Sequence, residues 1–126
     1  MAMARISDGT SKTLLTSEKR LRPSDYAGNS TRDGAGERQA PKFDDRGWAD
    51  GWDYDHLRSC YFPPEQDGEL QEVDDDFAYS FGSAHAGGIN ALFADGSVGF
   101  INYEVDRETF NRLGHRSDGE TITQSF

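Results

Sequence analysis

Ser83, His85 and Asp95 are the side chains whose types and order could form a hydrolytic relay. Such a relay needs nucleophile to base, and base to acid, within about 2.6–3.2 Å. Residues 88–94 read as a strand lying between His85 and Asp95, and its six steps of about 3.3 Å span roughly 20 Å. His85 therefore cannot meet Asp95 unless that strand folds back. The sequence also lacks a Gly-x-Ser-x-Gly elbow to present a serine nucleophile. A structural role accounts better for the same residues. Asp95-Gly96 makes a turn, and Gly87-Gly88 frees the backbone where the strand begins. His85 is expected to hydrogen-bond a backbone carbonyl or a loop carboxylate, with a ligand contact as its alternative role.

Other groups could do different chemistry. Calcium takes six to eight oxygen ligands, and two acidic runs could supply some of them: Asp74, Asp75 and Asp76, or Asp50, Asp53 and Asp55. Neither run has the spacing of an EF-hand loop, so a solvated acidic loop is the default and calcium the alternative. Trp48, Trp52 and Tyr54 could stack on a saccharide or peptide. With so few aliphatic residues nearby, a small aromatic core that pins the preceding loop is the favoured reading. The 23 acidic residues make carboxylate pairs common by chance, and none stands out as a glycosidase pair. Cys60 is alone, so neither an internal disulfide nor a cysteine metal cluster can form.

The elements that must position these residues are legible mainly near the C-terminus. Residues 89–103 read as a β-hairpin turning at Asp95-Gly96, a dipeptide that favours a two-residue type I′ loop. That loop places Phe93 opposite Val98 and Ala91 opposite Phe100, so the predicted core face is Ile89, Ala91, Phe93, Val98 and Phe100. Gly99 then faces Leu92 and permits a close approach. A short helix is predicted over 106–113, with Asp106 as N-cap, Phe110 and Leu113 as its apolar stripe, and Gly114 at its end. Near the N-terminus an Asp8-Gly9 turn leads into a strand within Thr13–Arg20, because the three Thr and two Ser of residues 10–20 weaken a helix there. Residues 22–51, with two prolines, five glycines and almost no aliphatics, form a long loop. A short strand is expected within His56–Phe62, ended by Pro63-Pro64, followed by an acidic loop over 65–76. Glu120–Phe126 reads as a last strand or an extended tail.

This order of motifs resembles a known family. Ile6-Ser-Asp-Gly-Thr-Ser-Lys-Thr-Leu-Leu, Trp48-Ala-Asp-Gly-Trp-Asp, and the run from Phe81 to Val98 are similar to the planctomycete-type, prepilin-like family of unknown function. Its hallmark is a histidine, nine residues, then Asp-Gly, here His85 to Asp95-Gly96. The resemblance covers essentially residues 5–126. It implies a pilin-like globular head, and a place in the cell envelope or outside the cell. Full-length members begin with a prepilin leader and a long hydrophobic helix, whereas this family motif starts almost at Met1. The chain is therefore expected to be a C-terminal part or a shortened member, cytoplasmic if the sequence is complete.

Composition narrows the function classes. Thirteen basic against 23 acidic residues leave a formal charge of −10, which disfavours nucleic acid and anionic membrane surfaces. No apolar run approaches the roughly 20 residues of a membrane-spanning helix, and no signal peptide is evident. Leu, Ile, Val and Phe supply only 22 of 126 residues, so one small, loop-rich domain is expected, helped by its aromatics. The predicted fold is α+β: a small antiparallel sheet, a central hairpin, one short helix and long loops. The predicted function is a non-enzymatic structural or interaction domain without a cofactor, working through protein partners or self-assembly. The alternative is an extracellular saccharide-, peptide- or ion-binding module using Trp48, Trp52, Tyr54 and His85.

Overall fold

A computed structural model of the 126-residue chain describes residues 5–26, 52, 56–68, 79–120 and 122. It has the small α+β architecture expected. Strands β1 (Leu14–Ser17), β4 (Gly88–Phe93) and β5 (Val98–Asn102) form an antiparallel sheet in the order β1-β4-β5. Strands β2 (Glu65–Gln66) and β3 (Gly82–Ser83) form a two-residue parallel pair that the sequence had not suggested. Among the described residues an α-helix, α1, spans Arg107–Leu113.

The sheet begins where expected. After the Asp8-Gly9 turn, Thr10–Lys12 makes one 3₁₀ turn and the chain extends into β1. β1 pairs with β4 through Leu14↔Phe93 and Thr16↔Leu92, so Leu15 is an extra residue at a bulge and stands 65% exposed. Along β4 the burial alternates, with Ile89, Ala91 and Phe93 inside and Asn90 outside.

The hairpin forms, but its loop has three residues instead of two. Phe93 N–H donates to Ser97 O and Gly96 N–H to Phe93 O, each at 2.9 Å. Gly96 takes φ +87°, while Asp95 does not adopt a positive φ. This is a type I turn followed by one left-handed residue. Asp95 favours it because its carboxylate accepts the Ser97 N–H at 2.8 Å and hydroxyl at 2.6 Å. Two bonds from outside the hairpin also hold the turn: Ala94 N–H to Thr13 O at 2.9 Å and Asp95 N–H to Thr10 O at 3.1 Å.

The added loop residue shifts the register by one, which turns β5 over. The pairs are Leu92↔Val98, Ala91↔Gly99, Asn90↔Phe100 and Ile89↔Ile101. Ile101 is therefore fully buried, and the predicted core residues Val98 and Phe100 are 74% and 49% exposed. Gly99 does permit a close approach, but from a different residue. A Cβ there would sit 3.1 Å from Cε2 of Phe93, whose ring covers the glycine.

Helix α1 closes the core. Asp106 accepts the Thr109 N–H at 2.9 Å, as an N-cap should. Phe110 and Leu113 bury completely and join Ile89, Ala91, Phe93, Ile101 and Val105 in one cluster. Phe81 meets Phe110 edge-on at 5.9 Å. Gly114 follows the helix with φ −78°, so it does not end α1 by a left-handed turn. Glycine is required there for room, because a Cβ would come within 2.8 Å of Cβ and 2.9 Å of Sγ of Cys60.

His56–Phe62 contains no strand. Its donors go elsewhere: Ser59 N–H to Tyr79 O at 2.8 Å and Tyr61 N–H to Ser59 Oγ at 3.1 Å. Extended pairing begins only after Pro63-Pro64, where Glu65 N–H reaches Phe81 O at 3.1 Å and Asp67 N–H reaches Ser83 O at 2.9 Å. The acidic loop predicted from residue 65 therefore opens as β2. The 22–51 loop is described only through Tyr26, including a 3₁₀ turn at Pro23–Asp25. Residues 27–51 lie outside the described residues, as does the 120–126 tail apart from Glu120 and Ile122.

Candidate functional site

The stretch from Ser83 to Gly96 carries the predicted motif, and its side chains hold backbone. Ser83 is buried at the end of β3. Its hydroxyl donates to Gly88 O at 2.8 Å and accepts the His85 N–H at 3.1 Å. Tyr103, just past β5, closes the other side. Its hydroxyl lies 3.1 Å from Ser83 Oγ, 3.1 Å from Ser83 O and 2.9 Å from His85 O. The turn from Ser83 to Gly88 is thus cross-braced to the far strand of the hairpin. Gly88 is needed for that approach, since a Cβ there would lie 2.1 Å from Ile101 O. The Gly87 carbonyl accepts the Tyr103 N–H at 3.2 Å, which extends the hairpin pairing past Gly88.

His85 meets a carboxylate, though not that of Asp95. Its Nε2 lies 3.4 Å from Oε1 of Glu18, with the imidazole 57% exposed. The other Glu18 oxygen accepts the Asn90 backbone N–H at 2.7 Å and its side-chain amide at 3.3 Å. Glu18 therefore continues the β1–β4 pairing with a side chain after the strand has ended. Asp95, at the opposite end of β4, is occupied by Ser97. The side chains of Ser83, His85 and Asp95 do not meet one another: the Ser83 hydroxyl takes only the His85 backbone N–H, the imidazole lies beside Glu18, and Asp95 holds Ser97.

A second carboxylate joins the two ends of the described chain. Asp8 accepts the N–H groups of Asp118 at 2.7 Å and Gly119 at 3.1 Å, while Ser7 N–H donates to Arg116 O at 2.9 Å. Desolvation pushes the Asp8 carboxyl up, but these N–H groups and the Ser7 hydroxyl more than offset it, leaving its pKa below the ordinary value. Asp95 is lowered by the Ser97 hydroxyl and N–H, and Asp106 by the Thr109 hydroxyl and N–H. Cys60 moves the other way: burial raises its thiol to about 12.

Of the remaining predicted site residues, Trp52 is among those described. Trp52 is 91% exposed, so it forms no part of an aromatic mini-core. Trp48, Tyr54, and both acidic runs (Asp50, Asp53, Asp55 and Asp74, Asp75, Asp76) lie outside the described residues. Among the described residues no group of three His, Cys, Asp or Glu could hold a metal, and no helix is long and apolar enough to cross a membrane. Cavities of about 370 and 460 Å³ run beside β1, both lined by Leu14, Leu15, Gly114 and His115. The smaller one is also lined by Cys60 and Phe81. Sequence reasoning missed Tyr103, Glu18 and Asp8. Their partners lie 18 to 111 residues away, and no local pattern signals such a contact.

No curated protein and no solved structure matches the chain. A family model does match, over residues 1–108, and its description is a protein of unknown function, DUF1559. That span includes the hairpin, the Ser83–Tyr103 brace and the Asp106 cap, so the chain belongs to the DUF1559 family.

Proposed function

We propose that this chain is a non-enzymatic structural and interaction domain of the cell envelope, similar to the C-terminal globular region of prepilin-like proteins. One observation carries the reading: the motif's reactive-type side chains serve as braces. Ser83 is spent on Gly88 and His85, Asp95 on Ser97, and His85 stands beside Glu18. A nucleophile needs a free lone pair aimed at substrate and a base beside it. Here the serine is buried and the imidazole sits on a different carboxylate. Neither a cofactor nor a metal forms part of this reading, so melting of the purified chain is expected to be the same with calcium and with chelator. The reading is tested by crosslinking the chain in the cells that produce it, followed by mass spectrometry. Reproducible links to envelope proteins are expected. A chain recovered without links, from a fraction free of envelope markers, would remove it.

A second reading is a binding module that captures a saccharide, peptide or ion through Trp48, Trp52, Tyr54 and His85. The 91% exposure of Trp52 favours it, since an indole left in water is available for stacking. Saturable quenching of tryptophan fluorescence by an oligosaccharide, lost in Trp52→Ala, would support it over the first reading.

A further inference from the structure

We infer that β5 is a docking edge where an extended, cationic segment of another polypeptide adds as a further strand beside Val98–Asn102. This rests on the reading of the chain as an interaction domain and names the surface and the partner's chemistry.

Among the described strands the sheet order leaves β5 at an edge. The phase of its pairing follows from two bonds, Phe93 N–H to Ser97 O and Tyr103 N–H to Gly87 O. Antiparallel bonding alternates along the strand, so residues 97, 99, 101 and 103 address β4. Val98 and Phe100 therefore direct their N–H and C=O groups outward, and no described residue bonds them. A row of this kind is a template for another strand, and proteins that avoid such pairing guard it with charge, proline or a bulge. Val98-Gly-Phe-Ile-Asn has none of these. Instead the side chains flanking the free groups are apolar and open, with Val98 74% and Phe100 49% exposed. An added strand would gain main-chain bonds from the edge and apolar contact from these two residues.

Charge selects the occupant. Residues 95–106 hold three carboxylates, Asp95, Glu104 and Asp106, and no basic side chain. A second copy would bring the same carboxylates and another −10 charge to the same edge, and like fields slow and weaken association. Nor does a pairing of two five-residue strands approach the roughly 1,000 Å² expected of a stable interface. A segment with alternate apolar residues and flanking Lys or Arg satisfies the backbone groups, the Val98/Phe100 surface and the acidic rim together.

The test is an NMR titration of the full chain with acetyl-Lys-Val-Thr-Val-Thr-Val-Lys-amide. Saturable amide shifts centred on residues 98–102 are expected. Binding should weaken at least tenfold when both lysines of the peptide become glutamate, and equally when alternate peptide nitrogens are methylated. Both changes leave the protein untouched, so they remain decisive even if Phe100→Lys fails to fold. Phe100→Lys should abolish the shifts, while Leu15→Lys on the opposite edge strand should not. The inference is overturned by shifts elsewhere, by no shifts, by equal binding of the glutamate or methylated peptide, or by sedimentation showing two chains joined at β5. Cellular crosslinks that survive Phe100→Lys would sink the edge and leave the interaction reading standing. Absence of crosslinks from the unaltered chain would remove that reading itself.

Discussion

Carboxylates that accept N–H groups make this fold sensitive to acid. Asp8, Asp95 and Asp106 each have a pKa below the ordinary 3.8 because protein donors favour the charged form. The unfolded chain then binds more protons than the folded one as acid is added, so stability falls with falling pH. The contribution of these three groups is complete above about pH 4 and is lost below it, as pH drops through their folded values. Urea midpoints measured from pH 7 to pH 2 should hold level in this respect until about pH 4 and then decline. Asp8→Asn together with Asp95→Asn should flatten that decline, and an unchanged slope would count against the assignment. Cys60 titrates in the opposite range. With its thiol near 12 against an ordinary 9.0, the reactive thiolate is scarce at pH 8. Labelling of the folded chain should be slow and should keep rising about tenfold per pH unit beyond pH 9, where an open thiol levels off. Rapid labelling at pH 8 without unfolding would show that the burial is wrong.

At the scale of elements, the turn decides which side chains are inside. Asp95-Gly96 marks a reversal unambiguously, yet two loop geometries can use it. The type I turn wins because it leaves Asp95 at negative φ, gives its carboxylate to Ser97, and places the Ala94 and Asp95 N–H groups on Thr13 and Thr10. Only Gly96 needs the left-handed region, so Gly96→Ala should cost about 1–2 kcal/mol, measured by equilibrium denaturation. Helix α1 is short enough that its cap matters. Asp106→Ala should cost about 1 kcal/mol by removing the bond from the Thr109 N–H to the cap carboxylate. Neither variant should alter the β5 register, which amide exchange along 98–102 can check.

On the scale of the whole molecule, a core that counts seven buried residues among those described joins the sheet to helix α1. Phe110 sits fully buried in it, edge-on to Phe81. Phe110→Ala should therefore cost about 3–5 kcal/mol, enough to unfold a marginal domain of this size. Loss of cooperative thermal melting is the expected readout, and a near-normal melt would mean the core lies elsewhere. The described ends are held together by Asp8 on Asp118 and Gly119, and the Ser83 turn by Tyr103. The amino-acid sequence by itself determined the hairpin's existence, β1, the Asp106 cap and the Phe110/Leu113 stripe, because turn chemistry, caps and short-period apolar patterns act between near neighbours. It also marked the His85-to-Asp95 spacing as a separation rather than a meeting, since an extended strand lies between. Tertiary structure alone decided the one-residue register that buries Ile101 and frees Phe100, the pairing of His85 with Glu18, and the brace from Tyr103. Each depends on groups far apart in the chain, whose approach is set by packing and by where backbone donors find acceptors.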